Sequence, residues 1–336
     1  MFDFSAVLPL PLIWGGLVAL AVFMYVLLDG FDLGVGILFP FAPSNKCRDR
    51  LMSSIAPFWD GNETWLVLGT GGLLVAFPPA YGVALSALYL PAIGMLLGLI
   101  LRGVAFEFRF KSEPESRWMW DYSFHFGSLA AAFCQGLMLG AFIQGFEVTG
   151  RHFSGGMLDW VSAFSVFCGL GVVVSYALLG ATWTIMKTED QTQKWARRTA
   201  VYVLAYAVFC LGIVSLWTPF LNDHLNQRWF GNAALLAPLP IVAVALGIWL
   251  VKSLLKGKEY MPFILTTGLF VVAYIGFAIS LWPWAIPYHM TFEQAAANGA
   301  NLSLLLVGGV IVLPVILAYT AYCYWVFRGK SEPISY

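Results

Sequence analysis

Nine long apolar runs, at roughly 8–32, 57–77, 81–102, 122–146, 158–185, 199–220, 232–254, 262–282 and 301–327, restrict this chain's fold more than any other feature. The hydrocarbon core of a bilayer is about 30 Å thick, and an α-helix needs about 20 mostly apolar residues to cross it. Inside hydrocarbon every backbone N–H and C=O must be satisfied internally, which leaves helices or closed β-barrels. Barrel strands read as alternating segments of about 10 residues, whereas these runs are continuous. The expected fold is an all-α integral membrane protein with about nine transmembrane helices. Segments 1–4 and 5–8 would form two four-helix bundles, with the C-terminal helix peripheral. Composition agrees, since 60% of the 336 residues are apolar and 11% charged, where a soluble domain has about a quarter charged. The whole chain, 1–336, reads as a single polytopic membrane domain.

Basic residues give the segments a direction. With segment 1 running from outside to inside, all eighteen Lys and Arg except Arg151 and Arg228 fall in or beside inner loops. Positive-inside bias of this strength predicts an N-terminus outside and a C-terminus in the cytoplasm. Met1-Phe2-Asp3-Phe4 lacks the basic start of a secretory signal, so segment 1 is expected to stay in the protein. Near its inner end, Asp29-Gly30-Phe31-Asp32-Leu33-Gly34-Val35-Gly36 is expected to bend or loosen the helix, because interior Gly costs about 1 kcal/mol relative to Ala. Pro57 suits the first turn of segment 2. Residues 46–50 read as a basic loop.

Ionisable residues inside membrane helices are expensive and mark function by default. Asp29 lies at the inner end of segment 1, Asp60 and Glu63 in the first two turns of segment 2, and Arg102 at the end of segment 3 with Glu107 five residues on. Antiparallel neighbours would bring these groups to one cytoplasmic-side layer. Carboxylates reaching inward from the cytoplasm suit proton uptake, since each accepts and releases a proton. Separately, Asp60 would complement a helix dipole, Arg102 would anchor at the interface, and Asp32 would flank a turn.

Other chemistry finds little support. The histidines, His125, His152, His224 and His289, sit at segment ends or in loops, and no two share a helical face, so an intrachain bis-histidine haem is not expected. The five cysteines are scattered without metal-type spacing, and no catalytic centre or metal site is expected in this chain. A formal net charge of zero speaks against nucleic acid as a partner. Many of the 14 Trp lie near segment ends, where interfacial anchoring accounts for them.

Residues 25–36, YVLLDGFDLGVG, and 54–66, SIAPFWDGNETWL, resemble the two N-terminal signatures of subunit II of cytochrome bd-type ubiquinol oxidases. The resemblance continues through LRGVAFEFR at 101–109, MWDYSFHFGS at 119–128 and LPVILAYTAYCYW at 313–325, and the compact length is most like the cyanide-insensitive branch. It implies a heterodimer in the bacterial inner membrane, in which a larger subunit I carries the haems, b-type and in some members d-type, and oxidises quinol while O₂ is reduced to water. Some members add a small accessory subunit or a structural quinone. Family acids proposed for proton supply fall on Asp29, Asp60 and Glu107, the last where Asp is usual, and the family arginine falls on Arg102. Glu63 stands where relatives carry an amide. Trp59 and Trp65 belong to the same motif and are expected to pack against subunit I. Buried acids in a polytopic chain also suit a secondary transporter, which would need helices broken at the membrane midplane. A purely structural scaffold is the third reading.

Overall fold

The computed structural model describes Phe4 and residues 7–331 and consists almost entirely of helices. In chain order these are α1 (Leu10–Leu38), α2 (Asn45–Ile55), α3 (Trp59–Ala76), α4 (Pro78–Arg109), α5 (Arg117–Gln144), α6 (Ala163–Lys187), α7 (Asp190–Trp217), α8 (Asp223–Gly231), α9 (Ala233–Leu236), α10 (Pro238–Leu255), α11 (Met261–Leu281), α12 (Phe292–Ala295) and α13 (Gly299–Val326). Met1, Phe2 and Asp3, read above as lacking a signal's basic start, lie outside the described residues. Among the described residues, eight helical stretches are long and apolar enough to cross a membrane. The remaining run forms α3, whose 18 residues begin with Asp60, Asn62 and Glu63 and so fall below that apolarity. It opens at Trp59, and Pro57 lies in the turn before it.

Helix α1 is the hub, packing against α3, α5 and α6. Around it α4 lies on α5, α5 on α6, α6 on α7, and α11 on both α6 and α10. Helix α13 touches α1 and α3 and buries only Leu302 and Ser303 among its described residues. The expected loosening of α1 at its glycines does not occur, and the helix runs unbroken to Leu38. Close packing explains those glycines. A Cβ on Gly34 would overlap the Tyr176 carbonyl and come within 2.8 Å of the Gly180 backbone nitrogen, so α1 and α6 cross backbone to backbone. The same device joins α4 to α5, where a Cβ on Gly98 would meet the Gly127 carbonyl oxygen at 2.7 Å. Phe31 then stacks on Trp183 across the α1–α6 crossing, with ring centroids 4.0 Å apart.

The basic loops share one end of the molecule. Arg197 on α7 donates to the Lys258 carbonyl at 2.9 Å, Lys330 donates to Glu259 Oε2 at 2.7 Å, and Arg50 pairs with Asp190 at 3.6 Å. The stretch read as a basic loop is helix α2, capped by Ser44, whose hydroxyl accepts from the Cys47 N–H at 3.3 Å, and seated on buried Cys47, Leu51 and Ile55. At the opposite end, strands β1 (Val148–Thr149) and β2 (His152–Phe153) form one small hairpin, and β3 (Trp284–Ile286) and β4 (Met290–Thr291) form another.

Candidate functional site: a buried arginine among carboxylates

Arg102 on α4 is 1% exposed, and its guanidinium is the centre of the most charged region inside the bundle. Its Nη1 donates to Asp29 Oδ1 at 2.6 Å and to Glu63 Oε1 at 3.1 Å, and Nη2 lies 3.8 Å from Asp32 Oδ2. Asp29 and Asp32 are fully buried, whereas the Glu63 side chain is 27% exposed and is the one carboxylate of the group that reaches the surface. Asn62 Nδ2 donates to Asp32 Oδ2 at 2.7 Å, and Tyr324 on α13 donates to Asn62 Oδ1 at 3.0 Å. Helices α1, α3, α4 and α13 therefore meet at one polar layer.

Local geometry explains how the chain builds it. Asp29 and Asp32 are three residues apart on α1, as Asn62 is three residues before Trp65 on α3, so each pair shares a helical face. The layer lies deeper than expected. Nine further residues of α1 and seven of α4 follow Asp29 and Arg102, which at 1.5 Å per residue sets it roughly 10–14 Å in from the helix ends. Three carboxylates against one guanidinium leave excess negative charge, which a low-dielectric interior makes costly. Binding a proton on one of the carboxylates would relieve that excess.

Asp29, Glu63 and Arg102 are thus brought together, while Asp60 and Glu107 are not. Five residues at about 100° each place Glu107 about 140° around α4 from Arg102, and its side chain is 57% exposed and pairs with Lys111 at 3.7 Å. Asp60 is exposed on α3, on the stripe that continues through Thr64 and Val67. Trp65 does not face a partner. It is 1% exposed, packed among Ala21, Tyr25 and Met24, with no surface left to offer. Trp59 is half-buried and lies against Phe106, with centroids 5.1 Å apart.

Sequence reasoning missed Asp32 and Asn62 as members of the layer. It also missed a second network nearer the basic end. Seven residues return α4 to almost the same azimuth, so Arg109 sits below Arg102 on the same face. Arg109 is 1% exposed, donates through Nε to Asp121 Oδ1 at 2.5 Å and through Nη1 to Asp49 Oδ1 at 2.6 Å, and lies over the Phe39 ring. Arg48 extends the network, pairing with Asp121 at 3.2 Å. These contacts fasten α2 to α4 and α5. Along α4 the buried side chains of Ala105 and Phe106 stand between the two arginines.

The histidines are placed for other work. His125 Nδ1 lies 3.3 Å from the Gly36 carbonyl oxygen, and His152, His224 and His289 are exposed. Among the described residues no group of three or more His, Cys, Asp or Glu side chains is arranged to hold a metal ion.

Comparison with known proteins places this architecture. Residues 10–327 match the family described as cytochrome bd terminal oxidase subunit II. The chain is 28% identical to cytochrome bd-I ubiquinol oxidase subunit 2 of Escherichia coli K12, over 98% of this chain and 96% of that one. It is also 28% identical to cytochrome bd ubiquinol oxidase subunit 2 of Bacillus subtilis 168, over 96% of this chain and 98% of that one. In fold it is similar to a chain of the bd oxidase structure from Geobacillus thermodenitrificans, with a TM-score of 0.78, 18% identity, and coverage of 95% of this chain and 99% of that chain. A match across residues 10–327, nearly the full length, shows that the chain belongs to the cytochrome bd terminal oxidase subunit II family.

Proposed function

We propose that this chain works in a heterodimeric quinol:O₂ oxidase, where it supplies protons from the side of its basic loops and stabilises a haem-bearing subunit I. The observation that carries this reading is the buried layer of three carboxylates around Arg102, with Glu63 as its one member at the surface. Reduction of one O₂ to two waters consumes four electrons and four protons, and two quinols supply the electrons. When bound to the partner, the haems carry those electrons to O₂. This chain's own histidines do not build an axial pair, since three are exposed and His125 is engaged with a backbone carbonyl. Its part is to accept protons and pass them on.

Asp60 and its stripe on α3 need cover, because an exposed carboxylate against lipid is untenable. A partner subunit lying over Asp60, Thr64 and Val67 would receive protons from neighbouring Glu63. With the basic loops in the cytoplasm, protons are drawn from the inner side, and turnover is electrogenic without a pump. The transporter reading loses its main support, because the glycine-rich stretch of α1 is continuous helix.

The test is turnover of the intact complex. Asp29→Asn, Glu63→Gln and Asp60→Asn should each slow oxygen reduction while assembly and haem spectra stay normal. Normal turnover in all three, with normal assembly, would reduce the chain to a structural scaffold.

A further inference from the structure

A second polar chain reaches toward the Arg102 layer from α5 and α6. Tyr176 on α6 donates its hydroxyl proton to Gln135 Oε1 on α5 at 2.7 Å, and Gln135 Nε2 donates to the Tyr25 hydroxyl oxygen on α1 at 2.9 Å. Tyr25 and Tyr176 are 4% and 2% exposed. Tyr25 precedes Asp29 by one turn on the same face of α1, and Asp29 Oδ2 is buried without a hydrogen-bond partner.

The direction of these hydrogen bonds is determined by counting donors. A tyrosine hydroxyl has one hydrogen, and a primary amide has a carbonyl that only accepts and an NH₂ that only donates. Because Gln135 donates to Tyr25, the Tyr25 hydrogen is free to point at Asp29. If the amide were reversed, Tyr25 would spend its hydrogen on Gln135. The Tyr176 hydrogen would then lose Gln135 Oε1, the acceptor it has in the structure. Leaving a buried donor unpaired is costly. With Gln135 donating, the one spare hydrogen sits on Tyr25, a turn away from Asp29 Oδ2, which is buried and has no other hydrogen-bond partner.

We propose that Gln135, clamped by Tyr176, is a positioning residue that turns the Tyr25 hydroxyl proton onto Asp29. Two helices that carry none of the layer's charges thereby bias where its protons reside. This rests on the proton-supply reading above. The other titratable or charged groups facing Asp29 are Arg102 on α4, Glu63 on α3, Asp32 on α1, Tyr176 on α6 and Tyr324 on α13. From α5 comes the neutral Gln135.

The experiment uses the intact oxidase complex with Tyr25→Phe, Tyr176→Phe and the double variant, which keep the buried rings, and haem spectra as the check on assembly. Turnover is measured against pH, and infrared difference spectra follow the carboxyl band that Asp29→Asn removes. Tyr176→Phe removes a hydroxyl that hydrogen-bonds to the neutral Gln135, yet it should displace the midpoint pH of turnover by about one unit, the equivalent of about tenfold in a protonation equilibrium. Tyr25→Phe should displace it the same way, and the double variant no further than Tyr25→Phe, because Tyr176 acts through Tyr25. The Asp29 band should shift in both single variants. A Tyr176→Phe band and profile that superimpose on wild type, or additive displacements, would overturn the proposal. Unchanged turnover in Asp29→Asn would instead overturn proton supply, and the infrared band would still decide the role of Gln135.

Discussion

Gly34→Ala tests whether the glycines of α1 exist to let α6 approach. The new Cβ would lie 2.7 Å from the Tyr176 carbonyl carbon, where ordinary contact begins at 3.4 Å, so the helices must part by at least about 0.7 Å. The atoms it meets are backbone, which has no rotamer to yield. A gap of that size forfeits a quarter to a half of each dispersion contact at the crossing, including the stack of Phe31 on Trp183. Overpacking costs about 1–3 kcal/mol, and a backbone-to-backbone clash belongs at the upper end, about 3 kcal/mol. Gly212→Ala on α7 is the control, since nothing lies within 4 Å of its Cβ. There alanine should gain up to about 1 kcal/mol of helix propensity. The assay is the midpoint of thermal inactivation of the purified complex, together with the yield of assembled heterodimer. Gly34→Ala should lower both, and Gly212→Ala should lower neither. Equal midpoints and yields for the two variants would refute the close-packing argument.

Other perturbations have equally definite outcomes. Arg102→Leu strands Asp29, Asp32 and Glu63 without their cation and should cost about 3–5 kcal/mol, read as loss of folded subunit from membranes. Arg109→Met removes the partner of Asp49 and Asp121, so limited proteolysis between residues 42 and 56 should speed up while Arg102-dependent turnover persists. Ser44→Ala deletes the cap of α2 and should cost about 1 kcal/mol, seen as faster amide exchange at Cys47. Glu259 lies in the loop between α10 and α11, where hydrogen bonds from Lys330 and then Gln193 hold its carboxyl below the usual range. A depressed carboxyl stabilises the folded state above its unfolded value and loses that contribution as pH falls through the folded one. Amide exchange at residues 327–331 should therefore rise on acidification, and Glu259→Gln should abolish that pH dependence.

Much of this architecture was legible in the residues, for reasons that also explain what was not. Run length located the long helices because hydrocarbon thickness leaves little choice, and the basic residues paired the loops correctly, as the Arg197, Arg50 and Lys330 contacts show. Depth along a helix follows from counting, so Asp29, Glu63 and Arg102 were expected in one layer and meet there. Azimuth was not followed, and there Glu107 and Trp65 were misplaced: Glu107 lies across α4 from Arg102, and Trp65 shares the inward face of Asn62. The same omission hid Arg109, at almost the azimuth of Arg102. Helix α2 was hidden by its short length and charge, although Cys47, Leu51 and Ile55 recur at four-residue spacing on its buried side. Gln135 and the tyrosines carry no charge and stand far apart in sequence, so only packing could assemble them.

Proton uptake itself is the most direct test of the Arg102 layer. In the reconstituted complex, with the quinol-reduced enzyme started by a pulse of O₂, a pH-sensitive dye on the basic-loop side reports protons withdrawn during a single turnover. Asp29→Asn and Glu63→Gln, with haem spectra and electron input unchanged, should slow that uptake and delay water formation with it. Uptake at the wild-type rate in both variants would contradict a proton path through this chain.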